Sequence, residues 1–406
     1  MTDAHAPTAG ELARRPLSGL RVLDLSRLLP GPFASMVLAD LGARVDKVED
    51  PQGGDYLRFM PALAGSGGDG NAAMNASFHL LNRGKRSVVL DLKKREGQEA
   101  LLRLVPRYDV LIESFRPGVM ERLGLGYERL RAASPGLIYC AITGFGQDGP
   151  AAQRAGHDIG YIARAGVLGL TGPAEGPPQV PGVQMADIAG GGLFAVSGIL
   201  AALHARARTG EGRLVDVSMT EGSVMLAAFG LMSALAGDGG QASGRGALNG
   251  GIAPFDTYRT KDGRAMALGA LEPKFWIAFC AGVGIAPSMD ALMPGPHQAE
   301  WKARLREVFA QRTQGEWIAF SEQVDCCLEP VLAPEEVPDD PQHVARKMFV
   351  TVDAGGTPLR MPRTPIASEV AEGPAPTQGR DTREVLRDAG MSEREIDALI
   401  AAGAAR

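Results

Sequence analysis

Between Leu20 and Ile142, short apolar runs alternate with segments of helical spacing, and this alternation restricts the chain more than any other feature. Leu20–Leu25 is a β-like run, Pro30-Gly-Pro32 reads as a turn, Phe33–Leu41 has helical spacing, Gly42 ends that helix, and Arg44–Glu49 is a second strand. Two strands that close on each other through a helix run parallel, because a parallel pair needs a long crossover. The pattern continues with a strand at Ser87–Asp91, a helix at Glu96–Val105 and a strand at Val110–Glu113. Short helices at Val119–Leu123 and Tyr127–Ala133 and a strand at Leu137–Ile142 complete it. Sustained over about 125 residues, this predicts an α/β fold with an open parallel sheet.

Beyond it the pattern changes. Asp187 precedes a long helix of small residues reaching about Arg206, followed by a strand at Arg213–Val217 and a helix at Glu221–Leu235. The Gly-, Ser- and Asn-rich residues 236–251 read as a linker. Phe255–Arg259 and Ala265–Gly269 flank Lys261-Asp-Gly263, a hairpin signal. Amphipathic helices then follow at Lys274–Gly282, Ala299–Arg312 and Gly315–Gln323. The expected organisation is a flexible tail over 1–16, a large domain over 17–235 and 350–406, and a smaller α+β domain over 252–335, with a return linker at 336–349. Within the large domain, Gly53–Gly70 is a glycine-rich loop, and Thr382–Ala402 carries two helices. Aromatic residues are only 5% of the chain, so the cores are expected to rest on Ala, Val, Leu and Ile.

Composition removes several classes of partner. With 42 basic against 47 acidic residues, no basic excess exists to neutralise a phosphate polymer, so no nucleic-acid partner is expected. The four cysteines, Cys140, Cys280, Cys326 and Cys327, show no metal-ligand spacing and read as reduced thiols of a cytoplasmic chain, with no metal site. The N-terminus lacks an apolar core, so it reads as a loose tail and not a signal peptide. The longest apolar stretch, Ile188–Leu203, has 16 residues, fewer than the ~20 that span a bilayer, so a buried helix is expected and no membrane span.

Few residues offer chemistry. His157 stands out among six histidines, since Ala155-Gly-His-Asp-Ile-Gly160 follows a strand and a Gly-rich loop; it reads either as a loop residue packing locally or as an acid/base. Asp187 in Met185-Ala-Asp-Ile-Ala-Gly-Gly-Gly192 reads as a helix N-cap, and its three glycines would let a ligand approach the backbone closely. Glu272 before Pro273 has the pattern of ordinary capping. Gly144-Phe-Gly-Gln-Asp-Gly149 matches GxGxxG after a strand, but Pro150 and the small polar residues after it deny the helix that a dinucleotide fingerprint requires. Asn82-Arg-Gly-Lys-Arg86, with Arg116 and Arg122, is either a solvated charged loop or a rim for phosphates.

Taken together, the ordered segments resemble the class III CoA-transferase superfamily, and within it the alpha-methylacyl-CoA racemases. The likeness runs from about Leu17 to about Phe349. It is carried by Leu17-Ser-Gly-Leu-Arg-Val-Leu, Leu29-Pro-Gly-Pro-Phe, Asn82-Arg-Gly-Lys-Arg-Ser, Glu113-Ser-Phe-Arg-Pro-Gly-Val-Met, Thr143-Gly-Phe-Gly-Gln, Gly156-His-Asp-Ile and Ala186-Asp-Ile-Ala-Gly-Gly-Gly. Asn249-Gly-Gly-Ile-Ala-Pro-Phe and Gly269-Ala-Leu-Glu-Pro-Lys-Phe extend it. Glu49-Asp-Pro-Gln-Gly-Gly-Asp-Tyr-Leu-Arg58 is closer to the transferases.

The resemblance implies a Rossmann-like large domain, a small domain and an interlaced homodimer, with the active site between the large domain of one subunit and the small domain of the other. It implies an acyl-CoA substrate and no permanently bound cofactor, coenzyme A arriving as part of the substrate. Arg83, Lys85, Arg86, Arg116 and Arg122, with Gly144 and Gly146, are then the expected CoA-binding residues. Asp187 is implied as acid/base in racemases or as nucleophile in transferases, while the motifs around His157 and Glu272 resemble racemases. Inverting a carbon next to a thioester requires one group to remove a proton from one face and another to return it to the opposite face. Histidine and aspartate differ intrinsically by about 2.6 pKa units, so a racemase site must narrow that gap. Glu272 would orient His157, and N–H groups at the Asp187 helix start would hold the enolate oxygen. Two alternatives stay open: a CoA-transferase working through an aspartyl-CoA intermediate on Asp187, and a CoA-binding protein without chemistry.

Overall fold

The structure, a computed structural model, describes residues 15–59, 71–237, 242–354, 356–367 and 369–406. Residues 1–14 of the expected tail, 60–70 of the glycine-rich loop and 238–241 of the expected linker lie outside the described residues. The chain divides into two compact units. The first takes Met1–Tyr161, Gln184–Gly222 and Pro341–Arg406, and the second takes Ile162–Val183 and Ser223–Asp340.

The first unit is built on six strands: β1 (Arg21–Asp24), β2 (Arg44–Glu49), β3 (Arg86–Val89), β4 (Val110–Glu113), β5 (Ile138–Thr143) and β6 (Leu214–Ser218). Their order is β3-β2-β1-β4-β5-β6, and every pairing is parallel. β4 and β5 are buried along their whole length, which is why they read as continuous apolar runs without alternation. The chain leaves β1 toward β2 on one side and starts again at β4 on the other. A crevice therefore opens outside the carboxyl ends of β1 and β4, the place where open α/β sheets bind ligands.

Helices close the faces of the sheet. Pro30–Asp40 follows β1 and is buried over nearly its whole length. Its prolines, expected as a turn, form the first helical turn, where the missing N–H would lack a partner in any case. Met185–Thr209 is long and apolar enough by length and composition to cross a membrane. One face of it is buried, with Ala195, Val196, Ile199 and Ala202, while Leu193 and Phe194 are exposed. The C-terminal helices Thr382–Asp388 and Glu393–Ala401 pack Val385, Leu386, Ile396 and Leu399 into the same core as Leu23, Val88 and Leu111. Before them, β10 (Phe349–Asp353) and β11 (Pro358–Pro362) form an antiparallel hairpin that the sequence reading did not place, at the start of the span 350–406 expected in the large domain.

The second unit holds an antiparallel sheet, β7 (Phe255–Arg259), β8 (Ala265–Gly269) and β9 (Leu328–Pro330). Its core is aromatic: Trp276, Phe279, Phe309, Trp317 and Phe320 stack or meet edge-on. All three tryptophans of the chain lie here, so the expectation that the cores rest on Ala, Val, Leu and Ile fails for this unit, while the core of the first unit is mainly aliphatic with Tyr108 and Tyr139 buried in it. Residues 162–183 and 223–235 also fall in this unit, where they pack on each other: Leu170 fills the space over Gly230, and Leu231 approaches Gly166. The expected single helix over Glu221–Leu235 is two helices, Met219–Leu226 and Ala228–Leu235.

Candidate active site

The carboxyl ends of β1, β4 and β5 open onto a cavity of about 720 Å³, within the range of small-molecule sites. Arg27, Leu28 and Pro30 enter it from behind β1, and Ser114, Phe115 and Arg116 from behind β4. Thr143 and Gly144 come from β5, and Arg154, His157 and Tyr161 from the segment that follows. Asp187 and Met219 complete the wall. Every one of these residues lies in the first unit.

The backbone is strained where it turns into the cavity. Leu28 has φ +63°, a conformation disfavoured for a branched side chain, and its N–H is held by Asp55 Oδ1 at 3.0 Å. Beside it the Arg27 guanidinium lies over the rings of Tyr56 and Phe115, 5.3 and 5.5 Å from their centroids, and donates to the Tyr56 hydroxyl at 3.0 Å. Arg27, Phe115 and Val119 also wall a second cavity of about 210 Å³. That cavity is lined by Leu25, Val48, Leu90 and Leu92 with Glu49, Asp50 and Lys93 at its polar side.

Asp187 does not cap its helix. Met185–Leu193 is a π-helix with Gln184 at the N-cap, and Asp187 sits inside the first turn. Such wide turns occur often at functional sites. The Asp187 N–H donates to Asp158 Oδ1 at 2.9 Å, and the Ile188 N–H to the Gln184 carbonyl at 3.1 Å. Neither N–H is therefore open for an enolate oxygen, contrary to expectation. Gly191 and Gly192 are packing positions: a Cβ on Gly191 would meet Met219 at 2.8 Å, and one on Gly192 would meet Phe33 at 2.6 Å. Burial, with Asp158 adding to it, pushes the Asp187 carboxyl up to about 6, against a smaller opposing pull from His157.

His157 is exposed and stands directly before the helix Asp158–Arg164. Tyr161, one turn on, lays its ring where side chains of Gly144 and Gly156 would be; a Cβ on either would come within 2.4–2.5 Å of it. Burial first, then Asp187, raises the Tyr161 phenol, so it keeps its proton. Gly144 thus serves Tyr161 packing while lining the cavity. Gly146, buried at φ +88°, donates to Thr143 Oγ1 at 2.9 Å and does not line it. No helix follows β5 directly, in keeping with rejection of the dinucleotide fingerprint.

The basic cluster needs correction. Arg83 and Lys85 are 0% and 1% exposed, and neither reaches a surface where a phosphate could bind. Arg83 pairs with Asp40, which also accepts from Thr364 Oγ1 at 2.7 Å and the Ala371 N–H at 2.8 Å. Lys85 Nζ donates to Ser35 Oγ at 2.7 Å, Asn82 Oδ1 at 3.0 Å and Asp24 Oδ2 at 3.2 Å. Arg86 forks onto Asp46 at 2.6 and 2.7 Å and reaches Glu384 at 2.8 Å. The carboxylates that claim these cations lie far away in sequence, so local reading left the charges unpaired. Arg83→Ala is expected to strand Asp40 in the core and cost ~3–5 kcal/mol of stability in urea unfolding. A stable variant with weakened CoA binding would restore the phosphate rim.

Of the expected cations, Arg116 lines the large cavity and is exposed, while Arg122 is exposed but lines neither cavity. Arg27, Arg154, Asp158 and Tyr161 are site residues that sequence reading missed. The rule that ligands bind beyond strand ends pointed at Arg27, since it follows β1 directly. Asp158 lies within the Gly156-His-Asp-Ile motif but was given no role, and nothing local marked Arg154. Glu272 lies in the second unit, exposed at the N-cap of Pro273–Gly282, and makes no capping bond with its side chain.

Comparison with known proteins gives a consistent family. The sequence model of CoA-transferase family III matches residues 17–382. The chain is 39% identical to alpha-methylacyl-CoA racemase of Mus musculus over 386 residues, 94% of this chain and 95% of that protein. It is 35% identical to succinate–glutarate CoA-transferase of Agrobacterium fabrum over 390 residues, 93% of this chain and 97% of that protein. Among solved structures, a CAIB/BAIF family protein from Brucella suis superposes with a TM-score of 0.77 at 33% identity, over 93% of this chain and all of that one.

Proposed function

The chain belongs to CoA-transferase family III, and we propose that within it the reaction is racemisation of 2-methyl-branched acyl-CoA thioesters at the α carbon. The observation that carries this reading is that His157 and Asp187 face one cavity, with the Asp187 carboxyl pushed up to about 6. That value brings Asp187 toward neutral pH, where a general acid/base can both take and return a proton.

In the proposed step one of the pair takes the α proton, leaving an enolate on the thioester. The other, already protonated, delivers its proton to the opposite face. One C–H bond breaks and one forms, and no oxidant or acceptor is consumed. Asp158 holds the Asp187 backbone by its N–H, and its charge helps keep that carboxyl protonated at mildly acid pH. Tyr161, its hydroxyl protonated, is a donor within the same cavity. Arg27, Arg116 and Arg154 supply positive charge for the CoA phosphates, and the smaller apolar cavity beside Arg27 accepts a flat base. Glu272 is retained as the acid proposed to orient His157; its exposure and lack of a capping bond leave it available. A homodimer is proposed as well, supported by the exposed apolar face of Phe229, Met232 and Leu235 in the second unit.

The test is incubation of one enantiomer of a 2-methylacyl-CoA in deuterated buffer with no acceptor acid. Racemisation with α-deuterium in the product is expected. Retention of configuration without deuterium, together with CoA exchange once a carboxylic acid is added, would replace this reading with the transferase. No reaction under either condition would leave a CoA-binding protein.

A further inference from the structure

We propose that Glu113 is a positioning residue of the site, its buried carboxyl holding the turn that carries Phe115 and Arg116 into the cavity. The inference rests on the thioester reading above.

Glu113 is the last residue of β4 and is 4% exposed. The chain leaves the sheet after it, and the next residues, Ser114 to Pro117, all line the large cavity. Released from the strand ladder, the Phe115 N–H needs another acceptor. Glu113 Oε2 provides it at 2.6 Å, while Oε1 lies 3.4 Å from the Tyr139 hydroxyl. Phe115 in turn forms one of the two ring faces over which Arg27 lies, and its ring borders both cavities. One carboxyl therefore sets a backbone turn, an aromatic wall and the seat of a cation. The reaction proposed for His157 and Asp187 makes no direct use of it.

Among the described residues, no cation is among the groups that bear on this carboxyl. The titratable groups that bear on it are Tyr139 and Cys140 of β5, Glu121 of the helix Val119–Arg122 and Asp216 of β6, and none of these is a cation. Burial pushes Glu113 up to about 8, so the neutral carboxyl is the form that holds the turn at neutral pH. A carboxyl raised in the folded state favours folding most at low pH, and that contribution is lost as pH climbs through about 8. Above that point an uncompensated anion sits beneath the Phe115–Arg116 turn, and the turn is expected to loosen.

The experiment is calorimetric titration of free CoA into the parent protein, Glu113→Gln and Glu113→Ala, at pH ~6.5 and ~9.5, on either side of the expected titration. The glutamine oxygen keeps the Phe115 bond but does not ionise. Glu113→Gln should match the parent at the lower pH and escape the alkaline loss of affinity that the parent shows. Ligand titration affects both proteins equally and cancels in that comparison. Glu113→Ala should bind about tenfold more weakly at both pH values. In melting experiments Glu113→Gln should gain stability relative to the parent as pH rises. Should the alanine variant not fold, the glutamine variant decides alone. A parent that does not bind CoA overturns the thioester reading and this inference with it. A parent that binds, with Glu113→Gln showing the same alkaline loss, overturns this inference only.

Discussion

Asp187→Asn is expected to lower racemisation by ~10²–10⁴-fold, the contribution typical of a positioned acid/base group, while the protein folds as the parent does. Folding should survive because the side chain is not the helix cap, and the backbone bond from the Asp187 N–H to Asp158 does not involve it. The variant should also melt slightly higher at neutral pH. In the folded parent the carboxyl is raised to about 6, so its contribution to stability is fullest at low pH and is lost as pH rises through that value. Asparagine has no charge to acquire there. Chiral analysis of product and thermal melts measured across pH check both halves. Activity near that of the parent would remove Asp187 from the mechanism. In the direction where Asp187 acts as the base, the parent's rate should climb as pH passes through about 6.

His157→Ala separates the two enzyme readings with a comparably large effect. Under the racemase reading inversion should fall by ~10²–10⁴-fold, because one face of the α carbon loses its only proposed proton carrier. Asp187 still exchanges the proton on its own face, so slow α-deuterium incorporation with retention of configuration should persist. No global loss of stability is expected, since His157 is exposed and precedes a short helix without supporting the core. Mass spectrometry of the thioester combined with chiral analysis reads both quantities in one incubation. Undiminished inversion in this variant would exclude His157 as the second acid/base.

The sheet could be read from the chain because its determinants are local. Most inner strands are short apolar runs with a turn at the end, β2 with its charged residues excepted, and each crossover helix carries its own spacing, so Arg44–Glu49, Val110–Glu113 and the Phe255–Arg259 hairpin arm appear where the pattern places them. The β10–β11 hairpin was not read although its arms alternate, as in Val350-Thr-Val-Asp353 and Leu359-Arg-Met361, because the prolines at 358 and 362 argue against a strand. The helix Asn71–Asn82 was not read because it follows a glycine-rich segment. Motif reading located His157 and Asp187, and the structure places both on one cavity. It misjudged the charges around Asn82–Arg86, where the pattern shows donors and hides their acceptors.

What the sequence determined by itself was the alternation that makes a parallel sheet, and with it the family, because short-range periodicity and ordered motifs survive without knowledge of contacts. Only the tertiary structure decided which charged groups remain available for function. Arg83, Lys85 and Arg86 are drawn to Asp40, Asp24 and Asp46 because a buried cation without its counter-ion is prohibitively costly, and packing of the helix Pro30–Asp40 and of strands β1 and β2 brings those carboxylates to them. Arg27 and Arg116 stay in the cavity because they follow strands that end at its rim. The same long-range packing, a buried wall and a neighbouring Asp158, sets Asp187 near 6, a property that no spacing of residues along the chain encodes.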